Sequence, residues 1–163
     1  MVDENKVLRS LVAHGAPLAG WTPRRDPLPL EETLVRALGC AKTNATVLRV
    51  LPLVLAKHSM TVQFEELKHQ ADALGFMQEL GMLVSLTVDL HPRLAKTRLG
   101  KLGREMDARL DEMKRLQPSA AKLFFTTATN SYTLKLAEAR TPAAARKWGF
   151  LMNMPESGFK AAF

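Results

Sequence analysis

Between Thr43 and Lys57 the sequence is apolar nearly all the way round, with Val47, Leu48, Val50, Leu51, Leu53, Val54 and Leu55 leaving no polar face at helical spacing. A helix of this kind is held only by elements that surround it, so the rest of the chain has to supply a shell. Thr43 and Asn44 are N-cap residue types at its start, and Pro52 is expected to kink it. A β-strand competes for the Val/Leu run, but its length and cap signals favour helix.

The neighbouring sequence provides that shell. From Leu30 to Leu90 it reads as four helices with short breaks. Glu31 and Glu32 complement the dipole of the first, whose apolar side is Leu34, Val35 and Leu38 and whose end is placed at Gly39. The buried segment is the second. Thr61 is expected to cap the third, with Phe64, Leu67, Ala71 and Leu74 on one side before Gly75, and Phe76 to Leu90 forms the fourth, its stripe interrupted by Gly81. Upstream, Asp3 caps a helix carrying Val7, Leu8, Leu11 and Val12 that ends at Gly15. Residues 15 to 29 are a Pro/Gly connector that Trp21 is expected to pin to the core.

Downstream, Pro92 fits a first helical position, and an amphipathic pattern runs through Leu94, Leu99, Leu102, Met106, Leu110, Met113 and Leu116, with Gly100 and Gly103 weakening its beginning. It covers fewer than about four heptads, which does not indicate a coiled coil and leaves the oligomeric state open. Strand formers surround Asn130 and Ser131, so a small β-hairpin near residues 119 to 136 competes with helix there. Thr141-Pro142 signals a last helix running through Trp148 and Phe150. Leu151, Met152, Met154, Phe159 and Phe163 make an apolar tail expected to dock on the domain or on a partner. The predicted fold is mainly α, a compact domain of about five to seven helices. Residues 1–29 form the N-terminal helix and connector, 30–90 the helical core, 91–150 a basic helical segment packed on it, and 151–163 the tail.

The charge is uneven. Of the net +7, residues 91 to 150 carry thirteen Lys/Arg against five Asp/Glu, whereas residues 1 to 90 carry nine against ten. The longest apolar run, Val50 to Ala56, is far too short to span a bilayer, and the N-terminus lacks a secretory pattern, so a cytoplasmic location is expected. The single Cys40 forms no intrachain disulfide and reads as a small core hydrophobe.

No phosphate loop, HExxH, CxxC, nucleophile elbow or EF-hand pattern occurs, and no cofactor or metal is expected. Glu65, His69 and Asp72 share one side of the third helix, where a solvated face explains them better than a metal site. A helix-turn-helix from Glu31 to Leu51 would present Lys42, Asn44, Thr46 and Arg49 amid aliphatics, a poor surface for reading bases and a good one for a core hairpin. The strongest functional signal is the basic segment. Arg93, Lys96, Arg98, Lys101 and Arg104, followed by Lys122, Lys135, Arg140, Arg146 and Lys147, are the residue types that neutralise phosphates, and Tyr132 and Trp148 lie among them. The expectation is a non-catalytic, regulatory protein that binds DNA or RNA. Its rival is a protein-interaction module, an antitoxin-like inhibitor or adaptor that would meet an acidic protein through the amphipathic helix and apolar tail.

Overall fold

In a computed structural model of the protein, which describes residues 2–116, 122–123 and 130–161, the all-apolar segment becomes helix α3, Ala45–Lys57. Asn44 caps it, its Oδ1 accepting from the backbone N–H groups of Thr46 and Val47 at 3.1 and 3.3 Å. Pro52 sits inside the helix, and Val47, Leu48, Val50, Leu51, Val54 and Leu55 are all buried. The shell begins with α1, Glu4–Ala13, capped by Asp3, and α2, Leu30–Ala41, which packs on both α1 and α3. Helix α2 runs past Gly39 to Ala41. Gly39 faces the Phe76 ring, which a β-carbon at residue 39 would approach to 3.3 Å, so its role is close packing and not helix termination.

Helix α4, Phe64–Leu74, starts from Gln63 without a side-chain cap. The predicted cap Thr61 lies too early and its hydroxyl donates to the His58 carbonyl, while the Gln63 N–H donates to Glu31 Oε1 at 2.7 Å. Gly75 takes a left-handed φ of 72° and turns the chain into α5, Met77–Leu90. That helix is buried over most of its length, from Leu80 to Thr87 without interruption. It packs against α3 and against most of the helices later in the chain, which makes α5 a second central helix.

The predicted single helix from Pro92 to Leu116 is two elements. Pro92–Lys96 is a 3-10 turn, and α6 is Arg98–Leu116. The break falls at Thr97, which is extended at φ −97° and ψ 179°, its hydroxyl donating to the Leu94 carbonyl at 2.6 Å. Gly100 makes the fold-back possible, because a β-carbon there would overlap the backbone of Ala95.

Over the described part of residues 119 to 136 no hairpin forms. Residues 131–136 open α7, Ser131–Arg140, and Asn130 is its N-cap in a reciprocal capping box with Thr133. Lys122–Leu123 forms β1, which pairs in parallel with β2, Phe150–Leu151, with Lys122 opposite Phe150. The rest of the proposed hairpin lies outside the described residues. Thr141-Pro142 introduces only α8, Ala143–Lys147, and Trp148 and Phe150 lie beyond it. Thr141 itself is buried, donating to the Ala137 carbonyl and accepting from the Met152 N–H at 3.0 Å, so it joins α7 to the tail.

The tail turns inward. Phe150, Met152, Met154 and Phe159 are buried, the last on α9, Glu156–Lys160. Trp148 is 1% exposed, its Nε1 donates to Ser85 Oγ at 2.8 Å, and its ring fills the space a side chain at Gly81 would take. One cluster of buried side chains thus runs from Val7 to Phe159. Trp21, expected to anchor the connector, is 37% exposed and contributes little to that cluster. Among the described residues no helix is long and apolar enough to cross a membrane.

Candidate nucleic-acid interface

The sequence-predicted cations separate into two groups. Arg93 and Lys96 stand on the 3-10 turn, and Arg98, Lys101 and Arg104 follow on the first turns of α6, all five exposed. Of these, Arg104 donates from Nη1 to the Ala95 carbonyl at 2.9 Å and tethers the turn to the helix. Arg93, Lys96, Arg98 and Lys101 have no ion-pair partner among the described residues. A buried ion pair would offset each charge locally. Here the charges face solvent, where a ligand's phosphates are the natural counter-ions.

The second group is largely spent on internal contacts. Lys147 pairs with Asp107 at 2.7 Å, joining α8 to α6. Arg146 donates to the Glu138 carbonyl, and Arg140 Nη1 to Asn153 Oδ1 at 3.3 Å. Lys135 is exposed on α7, and the side chain of Lys122 lies outside the described residues. Trp148 and Phe150 belong to the core and cannot stack on bases.

The local electrostatics agree with this sorting. His91, at the start of the basic turn, has its pKa lowered, first by burial and then by the charge of Arg93. Asp89 has its carboxyl raised above the ordinary range by burial first; Lys147 opposes the rise while Glu156 and Asp107 add to it.

One residue of the basic surface meets an aromatic from outside the basic segment. The Arg98 guanidinium carbon lies 4.8 Å from the centroid of the Phe64 ring on α4. Together with Gln63, Glu65, Lys68, Lys101, Leu102 and Glu105 they line an open cleft of about 420 Å³ between α4 and α6. Sequence reasoning missed Phe64 and Lys68, because Phe64 falls on the apolar stripe of its helix and residues 1 to 90 carry no basic excess.

The other candidate chemistries find less support. Glu65, His69 and Asp72 are all exposed, with Glu65 paired to Lys68 at 2.6 Å. Among the described residues no three or more His, Cys, Asp or Glu side chains are grouped to hold a metal ion. The second helix of the suggested helix-turn-helix is the buried α3, with Thr46 and Arg49 among its few exposed side chains. The Cys40 thiol is pushed up to about 11, chiefly by burial and then by Glu4, which favours the protonated thiol at neutral pH. No protein-family model, curated protein or solved structure matches the chain.

Proposed function

We propose that the protein is a non-catalytic, regulatory binding protein that engages nucleic acid through the basic surface formed by the 3-10 turn and the start of α6. The observation that carries this reading is the run of exposed cations Arg93, Lys96, Arg98 and Lys101 on one short stretch of chain, none with an ion-pair partner among the described residues. Each can take a phosphate without first giving up an ion pair within the described residues. A labelled oligonucleotide titrated at rising salt tests it. Binding should weaken steeply between about 50 and 200 mM salt. Replacing Arg98 and Lys101 together by Glu should abolish binding while the far-ultraviolet circular dichroism stays helical, whereas adding Arg104→Glu would also cut the tether to Ala95; a wild-type protein that ignores DNA and RNA at low salt overturns the reading.

An acidic protein partner is the second reading. Met152, Met154 and Phe159 of the tail are buried, so the large apolar groups left for it beyond α6, among the described residues, are Tyr132, 70% exposed, and Leu134 on α7. Binding to such a partner through these groups would respond little to salt.

A further inference from the structure

The α4–α6 cleft adds to the basic surface something that charge alone does not supply. Arg98 is held against Phe64 by a cation–π contact, and it is also exposed. The guanidinium stands over the ring while the side chain as a whole is exposed to solvent, so it is within reach of a ligand. It is the kind of platform on which unpaired nucleobases stack. Lys101 lies three residues further along α6, one turn away on the same side, and also lines the cleft. A base stacked on Arg98 therefore has a phosphate-binding cation one helical turn from it. Lys68 lines the opposite wall, its side chain 18% exposed and paired with Glu65, whose side chain is 89% exposed. Glu65 and Glu105 also line the cleft, so its cations Arg98, Lys101 and Lys68 stand beside two carboxylates.

The geometry points to single-stranded nucleic acid as the ligand, with one unpaired base seated in the α4–α6 cleft against Arg98 and Phe64 and its phosphate on Lys101. This inference rests on the nucleic-acid reading above and narrows it from any polyanion to an unpaired strand. A cleft of about 420 Å³ between two helices admits one nucleotide. A duplex keeps its bases stacked within and presents a convex backbone, which cannot enter.

The test uses the full chain and a fluorescein-labelled 12-nucleotide oligo(dT), with a 12-base-pair duplex and polyglutamate as comparison probes, all at low salt. Arg98→Lys keeps the charge and removes the planar face. It should weaken oligo(dT) binding about tenfold, within the range that base stacking contributes, and leave duplex binding unchanged. Lys101→Gln, which removes the cation assigned to the phosphate, should lower the salt slope for oligo(dT) by about one. Circular dichroism of both variants should match the wild type. If duplex binds as well as oligo(dT), or if Arg98→Lys weakens both probes equally, the cleft is not a base site and only the broader reading survives. If polyglutamate binds as tightly as oligo(dT) and Arg98→Lys leaves both unaffected, the surface is a general polyanion site and the inference fails. If wild type binds none of the three probes, both readings fall together.

Discussion

Gly81 has no side chain because Trp148 occupies the place of one. A β-carbon at residue 81 would overlap the indole ring, which is itself fixed by the Nε1 bond to Ser85. Gly81→Ala would ordinarily favour a helix by about 1 kcal/mol. Here overpacking, typically about 1 to 3 kcal/mol and more where backbone must move, exceeds that gain. Thermal unfolding should therefore show Gly81→Ala with a lower midpoint than wild type, and an unchanged or higher midpoint would show that the ring can move aside. Asp89 carries a prediction of opposite sign. The folded state holds its proton more tightly than the unfolded chain does, so its ionisation costs stability as pH rises through the ordinary carboxylate range and beyond. Asp89→Asn should raise the unfolding midpoint at pH 7, and the gain should shrink as pH falls below the unfolded carboxylate pKa. A gain that is independent of pH would remove the electrostatic cause.

The junction between the 3-10 turn and α6 sets two glycines three residues apart against each other. Gly100 faces the Ala95 backbone with no room for a methyl group, whereas a β-carbon at Gly103 would sit 3.5 Å from Val84, ordinary contact. Both lie inside α6, so helix propensity alone predicts a gain of up to about 1 kcal/mol for either Gly→Ala change. Gly103→Ala should be neutral or stabilising in chemical denaturation, while Gly100→Ala should destabilise and loosen the turn from the helix. Equal effects would show that the fold-back does not depend on Gly100.

These same elements mark how far the sequence could be read. The caps Asp3 and Asn44 and the helix end at Gly75 were legible because each acts through its own neighbours. The break at Thr97 was legible only as a weak start marked by Gly100 and Gly103, because the five-residue step from Leu94 to Leu99 was read through and the close approach of Gly100 to the Ala95 backbone shows only in the structure. Asn130 and Ser131 were read as the centre of a turn. The side-chain chemistry that favours turns also caps helices, and the chain used it for the second purpose.

At the scale of the molecule, the charge excess of residues 91 to 150 was plain from composition, but composition does not separate cations that face solvent from those that tie elements together. Arg98 and Lys147 have the same charge and lie in the same segment. One stands over Phe64 at an open cleft, and the other closes α8 onto α6 through Asp107. The partner aromatic of Arg98 comes from α4, more than thirty residues earlier, and only the packing of α4 beside α6 brings the two together.

The seat of Trp148 on α5 also has a consequence for how the chain is made. Synthesis proceeds from the N-terminus, so α5 and its partners α3 and α6 emerge well before residue 148. Until that residue arrives, the flank of α5 at Gly81 and Ser85 is open, and so is the apolar surface that Phe150, Met152 and Phe159 will cover. A chain released after residue 140 should therefore bind a hydrophobic dye such as anilinonaphthalene sulfonate strongly, where the full chain does not. Until its last segment arrives the nascent protein leaves one side of its central helix α5 uncovered, and it is in this interval that exposed apolar surface favours aggregation.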